Sequence, residues 1–228
     1  RYIGVTGVQT CALPISLPDP AGRAAARAIL EHHAIAAPPA VQRFLAAADD
    51  RPMVEARGPV VELASNATAV EAAIAAARVE GWEVQREPPL RGDAEAAGRA
   101  LARTLRALRP SVPTLVVAGG ETTVEVRGHG RGGRLQTLAL AALLELDGAP
   151  GSPTLVTLAT DGEDGPTDTA GAVVDGASLA RARALGLDPA ARLRDDDAYP
   201  VFEALEDLLR IGPTGTNVCD LVLALVRP

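Results

Sequence analysis

Residues 114–148 read TLVVAGGETTVEVRGHGRGGRLQTLALAALLELDG, and the order of textures in that stretch sets the fold class. TLVVAGG is a short apolar run bounded by glycines, as a buried strand is. ETTVEVRG follows as a second extended segment, predicting a tight turn and an antiparallel pair with the first. GHGRGGR is a glycine-rich loop, and LQTLALAALLELDG is a helix that opens directly from it. TLVTLAT (154–160) is the next strand.

The same alternation continues outward. Upstream, WEVQ reads as a strand, and Asp93 caps the helix AEAAGRALARTLRALRP, whose Ala97, Leu101, Leu105 and Leu108 share one face. Before these, Thr68-Ala-Val-Glu71 forms a capping box into VEAAIAAARVE, closed by Gly81, and PVVELAS (59–65) is a short strand. Downstream come helices around SLARARALG and AYPVFEALEDLLR and a last strand VCDLVLALV. The expected fold is α/β, a mixed, mostly parallel sheet sandwiched by helices.

Composition bounds the function classes. The chain has 228 residues and a formal charge of −7, which argues against a nucleic-acid partner. No apolar run approaches the roughly 18 residues that would span a bilayer, so no membrane partner is expected. Aromatic residues make up only 2%, so the core must be built from Ala, Leu and Val. Residues 1–16, RYIGVTGVQTCALPIS, fit neither a signal nor a transit peptide and resemble the in-frame translation of a common sequencing-library adapter. Treated as non-native, they remove Cys11 and leave Cys219 as a lone thiol. A lone thiol predicts no intrachain disulfide and a cytoplasmic setting. Residues 17–57 hold two short helices, the first opened by Asp19-Pro20, with His32 and His33 at its end.

Ligands of open α/β sheets bind beyond the carboxyl ends of the strands, so the loops after strands hold the candidate chemistry. Gly119-Gly120-Glu121-Thr122-Thr123 permits close backbone approach and carries polar groups, although an ordinary hairpin turn would look the same. In Gly128–Arg134, backbone N–H groups at a helix start favour an anion, with Arg131 and Arg134 as bidentate donors. That loop lacks the P-loop ending but satisfies G-x-G-x-x-G through Gly128, Gly130 and Gly133, so a dinucleotide turn is a rival reading. Asp161, Glu163, Asp164 and Asp168 crowd the loop ATDGEDGPTDTAGA, where a Mg²⁺ ion or a proton would offset their repulsion. A solvated acidic turn is the alternative. GPTGTNVCD (212–220) offers Thr214, Thr216 and Asn217 on a glycine-shaped turn, or simply stops a helix.

Taken in order, SNATAVEAA, GGETTVEVRGHGRGGRLQTLAL, LATDGEDGPTDTAGAVVDG, GLDP and GPTGTNVCDL resemble the successive motifs of the MOFRL-type glycerate 2-kinases. The resemblance implies transfer of a phosphoryl group from ATP, with Mg²⁺, to the 2-hydroxyl of D-glycerate, in a cleft between two domains. Carried onto this chain, it assigns Asp161, Asp164 and Arg134 to the chemistry and Asp161 and Asp164 to the metal. Glu121, Thr122, Gly130, Arg131, Gly132, Gly133, Gln136, Thr214, Gly215 and Asn217 would contact the nucleotide. Some relatives carry a hydroxypyruvate reductase label, so an NAD(P)H-dependent reductase is the alternative function. Leu135 and Thr137 depart from the family's Gly-Gly-Arg-Asn-Gln-Glu pattern.

The family's N-terminal domain precedes the motifs found here. Residues 17–57 are therefore expected to be a helical remnant of that domain, and 58–228 a C-terminal MOFRL-like α/β domain. The 228-residue chain is expected to be inactive as a fragment, with a homodimer as the candidate assembly of the intact protein.

Overall fold

The computed structural model describes residues 22–47 and 63–228. The adapter-like residues 1–16, the Asp19-Pro20 helix start and most of the expected PVVELAS strand lie outside them. The chain divides into two compact units, one of which spans Ala12–Glu62 and the other of which includes Leu63–Pro228.

In the first unit, α1 (Gly22–His32) and α2 (Pro39–Ala46) form a helical hairpin. Pro39 starts α2 at its first turn, where its missing N–H costs nothing. The guanidinium of Arg23 lies over Phe44 at 4.3 Å, and Arg27 donates to the Leu45 carbonyl.

The second unit is a six-stranded sheet covered by helices on both faces. Its strands are β1 (Glu83–Arg86), β2 (Thr114–Gly120), β3 (Thr154–Ala159), β4 (Gly171–Val174), β5 (Leu208–Leu209) and β6 (Asp220–Val226). Their spatial order is β1-β2-β6-β3-β4-β5. Helix α3 (Asn66–Val79) covers one face, packing Val70, Ile74 and Ala77 against Leu115, Val117 and Leu221. Helices α4 (Ala94–Ala107) and α5 (Arg134–Leu146) pack with Val116, Ala118, Leu155, Val222 and Ala224 in the larger core. Apolar side chains of α6 (Ser178–Ala184), α7 (Pro189–Arg194) and α8 (Ala198–Leu205) join it. Strand β2 is thus apolar throughout because both of its faces are covered.

The α/β alternation holds, but the sheet is mostly antiparallel. Only β1 and β2 pair in parallel, whereas β2–β6, β6–β3, β3–β4 and β4–β5 are antiparallel. The reason is the place of β6. Strands β2 and β3 do run in the same direction, as a strand–helix–strand connection requires. The last strand inserts between them and turns one parallel neighbourhood into two antiparallel ones. The same insertion removes the expected TLVVAGG–TTVEVRG hairpin. With β1 on one edge of β2 and β6 on the other, ETTVEVRG has no free edge to join. It leaves the sheet instead, making one isolated parallel bridge from Thr123 to Asp93.

Local signals fared unevenly. Asp93 Oδ1 accepts from Ala96 N at 2.8 Å, the expected cap of α4. The α3 cap lies three residues ahead of the expected one: Ser65 and Thr68 form the reciprocal box, and the helix starts at Asn66. Gly98 on α4 sits where an added Cβ would meet the Leu138 carbonyl at 2.2 Å, so α4 and α5 touch almost backbone to backbone. Helix α5 is buried from Leu135 to Leu143, which explains why it is apolar around its whole circumference from Leu138 to Leu144. Leu135 and Thr137 belong to this buried start, and Leu135 is part of the core.

Candidate functional site

The site forms where β6 begins. Because β6 runs against its neighbours, its first residue lies beside the carboxyl ends of both: Asp220 is in register with Gly120 of β2 and with Ala159 of β3. A carboxylate opening an otherwise apolar strand is buried, and a buried charge has to be paired. Its partner comes from the first turn of α5. Arg134 donates to Asp220 through Nε at 2.6 Å and Nη2 at 2.8 Å, and Nη2 also lies 3.1 Å from Oε1 of Glu121 at the end of β2. The three side chains are 16% (Arg134), 5% (Glu121) and 1% (Asp220) exposed. Burial works against the Arg134 charge, but the Asp220 bonds outweigh it and hold the guanidinium above its ordinary range. Asp220 is absent from the sequence-derived candidates, although an acid at the head of DLVLALV was its visible signal.

The acidic loop after β3 splits into different roles. Asp164 is fully buried, and its two oxygens accept from Leu135 N at 3.0 Å and Gln136 N at 2.8 Å. It caps α5 from a distant loop, and burial raises its pKa to about 6 although both backbone bonds pull it down. Gly133 is obligatory beside it, since a Cβ there would meet Asp164 Cγ at 2.3 Å. Gln136, also fully buried, donates Nε2 to Thr167 Oγ1 at 2.9 Å and Thr169 Oγ1 at 3.0 Å, which ties the loop to the helix. Thr122 is buried as well.

Asp161 sits at the surface end of the same loop. Its Oδ2 accepts from Asn217 Nδ2 at 2.7 Å and its Oδ1 from Glu163 N at 3.1 Å. Thr214 joins the two loops, donating through N to Asp161 O at 3.0 Å and through Oγ1 to Thr160 O at 2.6 Å. Gly215, at φ +74, turns the chain between them and Asn217. Asn66, at the head of α3, donates Nδ2 to the carbonyls of Val218 and Asp220 at 2.8 and 2.9 Å, seating the start of β6. Cys219 is buried, and Cys11, on which the expectation of a lone thiol turns, lies outside the described residues.

The shared Mg²⁺ site expected of Asp161 and Asp164 does not fit these residues. Asp164 has spent both oxygens on α5, and Asp161 faces Asn217 instead. Among the described residues, no group of three or more His, Cys, Asp or Glu side chains is placed to hold a metal ion.

The glycine-rich loop also differs from its expected use. The backbone N–H groups of residues 127–131 are taken by the acidic run Asp195–Asp197 of the same chain. Arg127 N and Gly128 N both donate to Asp196 Oδ2 at 2.7 Å, and His129 N donates to Asp195 Oδ1 at 3.2 Å. Gly130 N donates to Asp195 O at 2.9 Å, and Arg131 N to Asp197 Oδ1 at 2.9 Å. A Cβ on Gly128 would meet Asp195 O at 2.2 Å, and one on Gly130 would meet Asp197 Cβ at 2.3 Å. These glycines admit a neighbouring segment rather than a phosphate. Gly132 lies against the start of α8, where a Cβ would stand 3.4 Å from Ala198 Cβ. Three consecutive acids between two helices were the signal in the sequence for this brace.

Four loops gathered around a buried arginine, at one end of the central strands of a helix-covered mixed sheet, define an α/β domain. Residues 114–220 match the MOFRL family. A D-glycerate 2-kinase of Thermotoga maritima is 43% identical over 139 residues, covering 59% of this chain and 33% of that protein. A relative from Agrobacterium vitis whose name includes hydroxypyruvate reductase is 37% identical over 214 residues, covering 88% of this chain and 54% of its own length. The crystal structure of glycerate kinase from Thermotoga maritima superposes with a TM-score of 0.76 at 33% identity, over 90% of this chain and 50% of that one. The chain therefore spans between a third and about half of the length of these relatives. Among the described residues, no helix is long and apolar enough to cross a membrane.

Proposed function

We propose that the protein is an ATP-dependent D-glycerate 2-kinase and that residues 114–220 form one wall of its catalytic cleft. The observation that carries this reading is the convergence of Arg134, Glu121 and Asp220 where the family-matched loops meet at the start of the central strand. Phosphoryl transfer asks for fixed positive charge near the moving phosphoryl group and a carboxylate near the accepting hydroxyl. Arg134 supplies the first, held rigid by two carboxylates. Asp161, at the surface end of its loop with Asn217 fixing one oxygen, suits the second. In the proposed step the glycerate 2-hydroxyl oxygen bonds to the γ-phosphorus, the bond from that phosphorus to the β–γ bridging oxygen breaks, and the hydroxyl proton passes to Asp161. Asp164 and Gln136 hold the scaffold of α5 and leave the nucleotide contacts to Arg131 and to Thr214–Asn217.

The test is a coupled assay of ADP release with ATP and D-glycerate. The 228-residue chain alone is expected to release none. A chimera joining the N-terminal portion of the Thermotoga maritima enzyme to residues 17–228 is expected to turn over. A chimera that melts cooperatively yet releases no ADP would overturn the reading. NADH oxidation with hydroxypyruvate in the same chimera would replace it with the reductase suggested by the Agrobacterium relative's name.

A further inference from the structure

Tyr199 binds three segments of the second unit together. Its backbone N donates to Arg131 O at 2.9 Å, and its ring lies under the Arg131 guanidinium at 3.8 Å. Its hydroxyl donates to Asp168 Oδ1 at 2.8 Å and accepts from Arg210 Nη2 at 3.0 Å. The residue is buried, while the groups around it are half exposed: 51% for Arg131, 45% for Arg210 and 58% for Asp168.

The ion pairs here are unlike the one inside the domain. Asp168 reaches Arg131 Nη2 only at 3.5 Å and Arg210 Nε only at 3.3 Å, and Glu203 meets Arg210 at 3.3 Å. Arg134 and Asp220 meet at 2.6 and 2.8 Å with little exposure. Long, solvated pairs are weak and exchange readily, whereas short buried ones do not. Arg134 is therefore held in one place by its carboxylates. Arg131 and Arg210 are two guanidinium groups converging on one carboxylate that each reaches only at long range, with a tyrosine fixing both in place.

We propose that Arg131 and Arg210, aligned by Tyr199, form a two-guanidinium clamp for the polyphosphate chain of a nucleotide, and that Asp168 is the internal anion this chain displaces. The clamp deepens the kinase reading and rests on it for the identity of the ligand, but the anion binding can be measured without any reaction. Tyr199 is here a positioning residue, and Asp168 competes with the ligand.

The probe is inorganic tripolyphosphate without metal, titrated calorimetrically into the 228-residue chain at low ionic strength. One site is expected in the wild-type chain. R210Q should weaken it about tenfold by removing a charge-assisted donor, and Y199F about fivefold by freeing Arg210 and Asp168. D168N should tighten binding about three- to tenfold, because the amide still accepts from Tyr199 but no longer competes for the arginines. A purely structural Asp168 predicts weaker binding in D168N, and that result would overturn the proposal. So would absence of binding to the wild-type chain. Tripolyphosphate binding without ADP release in the chimera would count against the kinase reading and leave the clamp standing.

Discussion

Arg134 grips Asp220 with two parallel hydrogen bonds across the point where the central strand of the sheet begins. The pair is nearly buried, so each partner is the main reason the other is tolerated there. Removing Arg134 strands two carboxylates inside the domain, whereas removing Asp220 leaves Arg134 its contact with Glu121. Arg134→Met is expected to lose about 3–5 kcal/mol of stability, and Asp220→Ala less, because Glu121 still pairs with Arg134. Denaturant unfolding of the two single variants and the double variant would check this. A double variant no worse than Arg134→Met would establish that the cost is the stranded charge rather than lost packing.

Asp164 predicts a pH dependence. Its carboxyl titrates at about 6 in the folded domain, above the ordinary value of 3.8. Between those values the folded chain holds a proton that the unfolded chain has released. This group therefore adds stability as pH falls through the window and withdraws it as pH rises toward 6, with a slope of at most about 1.4 kcal/mol per pH unit. Other carboxylates titrate in the same range, so the readable quantity is the difference between wild type and Asp164→Asn from pH 4 to 7. That difference should change along the window. A constant offset would show that Asp164 does not titrate there.

Gly98 should reverse the usual helix rule. An exposed Gly→Ala change in a helix normally gains about 1 kcal/mol. Here the new methyl would stand 2.2 Å from the Leu138 carbonyl, forcing α4 away from α5. Gly98→Ala is expected to cost about 2–3 kcal/mol, the range of overpacking in a close-packed core. A melting temperature equal to or above wild type would refute the backbone contact.

The brace on the glycine-rich loop predicts a local effect. Asp196 accepts both Arg127 N and Gly128 N, so Asp196→Ala should speed hydrogen exchange at those two amides. Exchange within α5 should be unchanged, because its first turn is capped by Asp164 instead. Loss of protection in both places would mean that the acidic run supports the helix as well.

What could be read in the sequence was the local part. Asp93 as a cap, the apolar stripe of α4, the doubly buried β2 and the long apolar run of α5 all follow from neighbours within a few residues, where patterning and capping act. The α3 start was misplaced because Ser65-Asn66-Ala67-Thr68 and Thr68-Ala69-Val70-Glu71 both make plausible boxes, and only packing decides between them. Residues 189–194 also carried a readable start, since Asp188 caps Ala191 ahead of Pro189, yet were not read as a helix. Nothing local encodes β6 entering between β2 and β3, since strand order depends on partners about 60 to 110 residues away. For the same reason the backbone N–H groups that the glycine-rich loop offers to an anion are legible in the sequence, but the anion that takes them is not. A backbone amide accepts an Asp carboxylate as readily as a phosphate, and Asp195–Asp197 fold into place from the far side of α7.

The position of β6 bears on how the chain reaches this state. Strands β2 and β3 each find one neighbour early in the sequence, but the partner they share comes last. The middle of the sheet is thus its most non-local part, which slows folding in chains of this topology. Until β6 docks, two long apolar strands present open edges, the arrangement most prone to pair with another molecule. Overexpression or mild heating should therefore yield aggregates held by β2 and β3. A short peptide of the sequence DLVLALV, supplied during refolding, should compete for the same gap and lower the yield of the native domain.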